Sequence, residues 1–307
     1  MNHDLVRFEP DCDRKVLDLS VVIPAHNAAG TIRAQLDAVL GQHWTGTWEV
    51  IVVDNRSTDN TIAIAESYAE RDPRVRVVLA TERQGIGYTR NQGIAAACGR
   101  GIAMCDSDDV VAPGWIEAIG TALEKHDFVT GPLDVHSLNE PWLVATRGLA
   151  IEKASGNFLG VFDFAHSCNV AFRRSMIDTT SGFDETLVNG SDVEFSLRAW
   201  RAGYTLHYVE GAVVAYRYRT TMEGLWRQAR NYSKVRPVLI ARVQSAGVAV
   251  SPPTSWRGWL WLVRSLPLLR DRAGRARWVW TAGLRVGAIE GHPTVRRVLR
   301  SVRRRAA

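Results

Sequence analysis

The stretch Glu49–Asp72 reads EVIVVDNRSTDNTIAIAESYAERD, and its character changes part-way along. Val50, Ile51, Val52 and Val53 form an unbroken β-branched run, too short for a helix and without the polar alternation of a strand that has one wet face. Such a run suits a strand covered on both sides. A polar turn follows, and the residues from about Asp59 to Glu70 read as helix. Strand, turn and helix in this order are the repeating unit of an α/β sheet, and the chain supplies the same unit on either side.

Upstream, LSVVIPAHN (Leu19–Asn27) is a second β-branched strand, stopped by Pro24. GTIRAQLDAVLGQ (Gly30–Gln42) then sets Ile32, Leu36, Val39 and Leu40 at i, i+4, i+7 and i+8. Thr31 stands in the N-cap position and Gly41 at the end, so a helix is predicted between them. Downstream come a strand at VRVVLA (Val75–Ala80), a helix in GYTRNQGIAAACG (Gly87–Gly99) and a strand at GIAMC (Gly101–Cys105). Apolar strands separated by helices predict a mostly parallel sheet with helices on both faces. Ligands of such sheets bind beyond the carboxyl ends of the strands.

The unusual residues fall at those ends. Ala25, His26 and Asn27 follow one strand, Asp54 and Asn55 the next, and MCDSDD (Met104–Asp109) a third. Asp106, Asp108 and Asp109 put three carboxylates in four positions, which repel one another unless a cation compensates them. An isolated acidic turn needs only water and scattered lysines. Three separate segments delivering polar groups to one rim argue for a ligand instead. No glycine cradle is present to hold phosphate: the turn after the first strand reads PAHNAAG, GIGYTRNQG lacks the third glycine of G-x-G-x-x-G, and G-x-x-x-x-G-K-[ST] does not occur. A divalent ion on paired carboxylates is the other standard means of binding phosphate.

With 307 residues, 46% of them hydrophobic, the chain can bury a full core as one large domain or two smaller ones. Cys12, Cys98, Cys105 and Cys168 are far apart with no C-x-x-C, which reads as structural thiols in a reducing compartment. MNHDLVRFEPDCDRKVLDLS (residues 1–20) lacks the uninterrupted apolar core of a signal peptide, so a cytoplasmic setting is expected.

Seven stretches in order, between about residues 19 and 203, carry a resemblance: SVVIPAHNAAGTI, EVIVVDNRSTDNT, GYTRNQGIAAACG, CDSDD, CNVAFRR, SGFDE and GSDVEFSLRAWRAGY. Together they resemble the family 2 glycosyltransferases of GT-A fold, whose α/β core is a Rossmann-like, mostly parallel sheet flanked by helices. The resemblance implies an enzyme that uses a nucleoside diphosphate sugar donor, a divalent metal (Mn²⁺ or Mg²⁺) and anomer-inverting transfer to an acceptor hydroxyl on a cell-envelope or lipid-linked glycan. The organisation expected is an extension at 1–18, a transferase domain at 19–220 and a helical, basic region at 221–307. Within the domain, 19–130 would bind nucleotide and 131–220 acceptor.

Carried over by position, Pro24, Ala25 and Asn27 would line the nucleoside pocket, and Asp54 would face the base with Asn55 beside it. The family commonly has a second aspartate where this chain has Asn55; the amide oxygen still accepts a base N–H, but its NH₂ also donates, which leaves the base open. Arg90 resembles a basic residue near the nucleotide. Asp106 and Asp108 match the D-x-D motif, Asp106 toward the ribose or a metal-bound water and Asp108 on the metal, with Asp109 either behind them or capping a helix. Asp192 matches the aspartate of a Glu-Asp pair and would be the general base, with Ser191 in place of the glutamate and Glu194 ranked below it. Asn169 is expected either to touch the donor sugar or to serve as a structural amide, and His166 to be a core histidine. Where relatives offer a metal-binding histidine this chain has AVVAYRYR, with Ala215 near the place, so water or His207 would complete the metal, or the metal would bind more weakly. These departures keep open an inactive family member that only binds sugar nucleotide or a partner.

From Ser251 onward the chain has 13 arginines and two acids, a charge of +11 that leaves −5 for residues 1–250. The same region holds Trp256, Trp259, Trp261, Trp278 and Trp280, five of the eleven tryptophans. Arginine with tryptophan at helical spacing fits a peripheral contact with the inner face of a membrane, or packing on the core. Nucleic acid is disfavoured because no recognition module accompanies the charge. In MEGLWRQARNYSK (Met222–Lys234), Gln228 and Tyr232 are expected either near the active site or on a docking helix packed by Leu225 and Trp226.

Overall fold

The structure is a computed structural model that describes residues 16–147, 155–250 and 256–306, with side chains described to residue 292 except that of Arg147. The chain divides into two compact units, one of Met1–Ser137, Ala150–Thr186 and Ser191–Arg217, the other of Leu138–Leu149, Leu187–Gly190 and Tyr218–Ala307.

The first unit opens with β1 (Leu17–Ala25), α1 (Ile32–Leu40), β2 (Trp48–Asp54), α2 (Thr61–Ala69), β3 (Val75–Leu79), α3 (Ile86–Ala96) and β4 (Gly99–Met104). There follow β5 (Val110–Val111), α4 (Trp115–Leu123), β6 (Phe128–Thr130) and β7 (Leu133–Asp134). In the second unit α5 (Pro141–Arg147) comes next. The first resumes with β8 (Gly156–Phe158), β9 (Phe162–Phe164), β10 (Val170–Arg173), α6 (Ser175–Thr180), α7 (Ser191–Arg201), β11 (Leu206–Tyr208) and β12 (Val214–Ala215).

Seven strands form the main sheet in the order β11-β6-β10-β4-β1-β2-β3. All neighbours are parallel except β10, which runs antiparallel to both β4 and β6. Alternate residues of each strand enter opposite cores because side chains in a strand have a period of two. Val21, Val50 and Val52 pack with Ile32 and Leu36 of α1, Ile64 of α2 and Trp115 and Ile119 of α4. Val22, Ile51 and Val53 pack with Tyr88 and Ile94 of α3, Met176 and Ile177 of α6 and Phe195 of α7. Burial on both faces is what removed polar alternation from the sequence. Two smaller sheets, β5-β12-β7 and β8-β9, complete the unit.

The predicted element boundaries need small corrections. Helix α2 starts at Thr61, because the Asp59 carboxylate accepts the Thr61 N–H at 3.0 Å and holds the preceding residues in a turn. The Thr31 hydroxyl does not cap α1; it donates to the Ala28 carbonyl at 3.3 Å. Strand β4 begins two residues before Gly101, at Gly99, where a Cβ would lie 2.4 Å from the Ser20 nitrogen and only glycine fits. Cys105 and Cys168 are free and buried, whereas Cys98 is disulfide-bonded. That corrects the expectation that all four cysteines are thiols.

The second unit is helical: α5, α8 (Met222–Ser245), α9 (Arg257–Arg264), a 3₁₀ turn (Leu266–Arg270) and α10 (Arg272–Ala306). Thr221 caps α8 by accepting the Gly224 N–H at 3.0 Å. Helices α8 and α10 approach closely because Gly283, Gly287 and Gly291, spaced by four, face the α8 backbone; a Cβ on Gly287 would sit 2.1 Å from the Arg230 carbonyl oxygen. Arg230 and Glu290 join the two helices through bonds of 2.8 and 2.7 Å. Gln228 donates to the Tyr232 hydroxyl at 3.1 Å, one turn along α8. Among the described residues no helix is long and apolar enough to cross a membrane.

Candidate active site

The parallel register aligns the carboxyl ends of three strands. Ala25 pairs with Asp54 across β1 and β2, and Val22 with Met104 across β1 and β4, so the segments beginning at His26, Asn55 and Cys105 leave the sheet on one edge. Two rim residues are held in the left-handed region, Asn27 at φ 50° and Arg56 at φ 62°. Asparagine tolerates that conformation better than most residues. Here Asn27 is held by its N–H to the Ser57 hydroxyl, at 2.9 Å, and by its side-chain oxygen, which accepts the Thr58 N–H at 2.8 Å.

Pro24 and Ala25 close β1 and are buried. Asp54 ends β2 at 2% exposure; its Oδ2 accepts the Ser57 N–H at 3.1 Å, while Oδ1 is buried with no hydrogen-bond partner. Asn55 behaves differently. Its NH₂ donates to the carbonyls of Ala80 (2.6 Å) and Arg83 (2.8 Å), and its Oδ1 accepts the Gly85 N–H at 3.0 Å. The Asn55 amide thereby pins residues 80–85 to the end of β2.

The acidic turn is braced from two directions. Gln35 of α1, fully buried, donates to the Asp106 carbonyl and accepts the Val111 N–H, each at 3.0 Å. Arg217, just past β12, donates its backbone N–H to Asp109 Oδ1 at 2.7 Å and its Nε–H to the Asp108 carbonyl at 2.8 Å. Neither brace was anticipated, since each joins residues 70 to 110 positions apart with no motif to mark it. Ala215 pairs with Val110 in β5 and Asp134 in β7.

Arg90 of α3 reaches Asp106 Oδ1 through Nη2 at 3.2 Å and the Ser191 hydroxyl through Nη1 at 3.5 Å, and lies 5.5 Å from the Phe183 ring. Its Nε is buried and unpartnered. Asp109 is 1% exposed, and its Oδ2 is likewise buried without a hydrogen-bond partner. One ligand atom each from Asp106, Asp109 and Cys168 lies within 4.8 Å of the others. Burial pushes the Asp109 carboxyl well above the usual range, and the charges of Asp108 and Asp106 push it further. Burial also raises Asp106; Arg90 pulls it back, and Asp108 and Asp192 oppose that pull. The Cys168 thiol is raised by burial and then by the fields of Asp109, Asp106 and Asp192. Asp106 and Asp109 are three apart in a turn, with the Asp109 N–H donating to the Asp106 carbonyl at 3.3 Å, and that i, i+3 relation is the signal that would have singled out Asp109.

The set suits a hard divalent cation. Carboxylates with an orphaned, buried oxygen attract such an ion, and their hard oxygens favour it over softer metals. Asp192, in the first turn of α7, is half-buried and accepts the Val193 N–H at 2.9 Å. Glu194 is held by Arg198 in a two-pronged pair, Nε–H to Oε1 at 3.0 Å and Nη2–H to Oε2 at 2.7 Å.

Other candidates lie elsewhere. Asn169 is fully buried; its oxygen accepts the Trp115 indole N–H at 2.9 Å and its NH₂ donates to Pro132 (3.1 Å) and Ala212 (2.7 Å). Both of its amide hydrogens are used within the fold. His207 sits on the edge strand β11, stacked on His126 at 3.7 Å between ring centres, and takes no part in the carboxylate group. His166 packs edge-on to Phe164 at 5.1 Å.

The sequence profile of glycosyl transferase family 2 matches residues 20–180, just over half of the chain. The chain belongs to glycosyl transferase family 2. A second profile, glycosyl transferase family group 2, matches residues 101–289. This family 2 member is 37% identical over 130 residues to the uncharacterized glycosyltransferase YibD of Escherichia coli K12, covering 42% of this chain and 36% of that protein. It is 31% identical over 229 residues to the succinoglycan biosynthesis protein ExoO of Rhizobium meliloti, covering 67% of this chain and 65% of that one. The chain thus spans less than two thirds of the length of either relative. Its fold is similar to that of the mannosyltransferase PcManGT from Pyrobaculum calidifontis, solved with GDP-Man and Mn²⁺, with a TM-score of 0.61 at 20% identity over 90% of this chain and 87% of the other. That likeness establishes the GT-A fold of this family 2 member.

Proposed function

We propose that the chain transfers a sugar from a nucleoside diphosphate donor to an acceptor hydroxyl, with inversion at the anomeric carbon. The observation that carries this reading is a set of buried polar atoms without partners, Asp54 Oδ1, Arg90 Nε and Asp109 Oδ2, at the rim where a nucleotide would lie. Buried polar groups of folded proteins are paired in the great majority of cases, so orphans gathered at one sheet edge call for a ligand. The fold neighbour's GDP-Man and Mn²⁺ support the same reading.

Asp54 Oδ1 would accept a base N–H, with Pro24, Ala25 and Asn27 lining the nucleoside side. Asp106 and Asp108, joined by Asp109, would hold Mn²⁺ or Mg²⁺. When bound, the ion supplies Lewis-acid neutralisation of the diphosphate. Arg90 keeps the Asp106 carboxylate oriented by its 3.2 Å contact and adds positive charge to the wall of the site. Asp192 takes the proton of the acceptor hydroxyl as its oxygen bonds to the anomeric carbon. The bond from that carbon to the diphosphate oxygen breaks on the opposite side, and the electron pair leaves with the diphosphate. The acceptor in this reading is a cell-envelope or lipid-linked glycan, and the succinoglycan biosynthesis in ExoO's name supports a glycan as acceptor.

The test is release of nucleoside diphosphate from a panel of donors with Mn²⁺. Asp192→Asn should lower turnover by roughly 10² or more with donor affinity retained. Donor binding without turnover in the parent protein would instead make it an inactive, sugar-nucleotide-binding member of the family. Calorimetry that finds no uptake of either ion in the presence of UDP, GDP or TDP would refute the metal assignment.

A further inference from the structure

Helix α9 turns Gly258 and Leu262 inward and carries Trp259 and Val263 outward. Gly258, Leu262 and, one residue past the helix, Ser265 are buried. They recur at i, i+4 and i+7, which marks one helix face. That face is fastened to α10: the Trp278 indole N–H donates to the Leu262 carbonyl at 2.9 Å, and the Arg285 guanidinium lies where a Cβ on Gly258 would fall. The other face presents Trp256, Trp259 and Val263, 71%, 44% and 66% exposed, and the 3₁₀ turn continues it with Leu266 and Leu268.

Charge accompanies this apolar face. Arg257 and Arg264, both exposed, are seven residues apart and so line one flank of it, and exposed Arg270 ends the 3₁₀ turn. A groove of about 400 Å³ on that flank is lined by Trp256, Arg257, Leu260, Trp261 and Arg264. No acidic residue occurs between Trp256 and Arg270. Because the tryptophans and aliphatics stand in solvent, packing on the chain's own core does not account for them. A nucleic acid would have use for the arginines and the indole rings, but Val263, Leu266 and Leu268 offer no surface on which bases stack.

We infer that α9 and the turn after it form a docking surface for an anionic phospholipid bilayer, with Trp256, Trp259 and Val263 entering the boundary between headgroups and acyl chains and Arg257, Arg264 and Arg270 meeting lipid phosphates. An amphipathic helix with tryptophan on one side and arginine beside it is built to lie in the plane of such an interface. The inference stands on this helix alone and is independent of the sugar-transfer reading.

Full-length protein is sedimented with vesicles of phosphatidylcholine and with vesicles of phosphatidylcholine mixed with phosphatidylglycerol, at low and high salt. The parent should pellet with the mixed vesicles and be partly released by salt. Arg257→Gln/Arg264→Gln should weaken partitioning into the mixed vesicles, by roughly fivefold for each arginine removed. Trp256→Ser/Trp259→Ser should weaken it at both salt concentrations, because burial of apolar surface is not screened. All four positions are exposed, so both variants should melt with the parent; if the tryptophan pair fails to fold, the arginine pair alone decides. Recovery of the parent in the supernatant, equal pelleting of the arginine variant and the parent, or binding to duplex DNA without binding to vesicles would each overturn the inference.

Discussion

Replacing Asp109 with asparagine should stabilise the chain without metal and disable its response to metal. The Asp109 carboxyl is 1% exposed, one of its oxygens has no partner, and it lies within 4.8 Å of a ligand atom of Asp106. Two unit charges at that separation repel by about 3.5 kcal/mol at an effective dielectric near 20. Burial of the charge and the field of Asp108 add to this, Arg90 offsets part of it through Asp106, and the net gain for the variant is on the order of 1–4 kcal/mol. The sign with pH follows from the raised carboxyl. Below its ordinary value of 3.8 the group is neutral in both folded and unfolded chains and costs nothing. As pH rises the unfolded chain loses this proton first, so the folded state loses stability until the raised value is passed. Asparagine keeps an oxygen for the Arg217 N–H, now at 2.7 Å, and turns an NH₂ toward the other carboxylates. In melts with chelator, Asp109→Asn should run several degrees above the parent, at roughly 2–4 °C per kcal/mol, with the gap opening from about pH 4 upward. With Mn²⁺ and a nucleoside diphosphate the parent should gain and the variant should not. A variant that melts below the parent, or a gap that closes as pH rises, would refute the electrostatic argument.

Asn55→Asp, which installs the residue the family commonly has, should destabilise by about 1–3 kcal/mol in denaturant titration, because a carboxylate would face the Ala80 and Arg83 carbonyls. Faster amide exchange confined to residues 80–85 would show that the pin has been lost. Gly287→Leu should cost about 1–3 kcal/mol or more, read as a fall in melting temperature, since even its Cβ meets the Arg230 carbonyl oxygen at 2.1 Å. Burial holds both free thiols, Cys105 and Cys168, well above the usual range, so neither should react with a disulfide reagent at neutral pH until the chain is unfolded. Rapid labelling of either in the native protein would contradict the enclosure of the site.

What the chain discloses before folding is what depends on neighbours in sequence. The β-branched runs at Val21–Ile23 and Val50–Val53 are strands because both faces are covered, and that demand leaves a pattern of one residue type. Ala25, Asp54 and Asp106 could be assigned to one rim for the same reason, since parallel strands connected through helices end together. The use of each polar group was not legible. Asn55 and Asn169 look equally free on paper, yet both amides are consumed by partners 25 to 54 residues away. Asp108 and Asp109 are adjacent, and only the turn distinguishes them, leaving the first half-buried and sealing the second. The inverted face of α9 was visible only as arginine mixed with tryptophan, because which of its sides meets α10 depends on Gly258 and Leu262 finding their seats.

Gln35 holds both ends of the segment from Asp106 to Val111 with one side chain, although no residue of its helix is singled out as a contact for nucleotide or ion. The spread of the carboxylates is thereby tied to the seating of the first helix against the sheet. A screen that scores lost turnover would record Gln35→Leu as a lesion of the chemistry, when the damage would be to the clamp that keeps the acids in reach of one another. Sequence variation in α1 should accordingly track variation in ion preference more closely than its distance along the chain from Asp106 suggests.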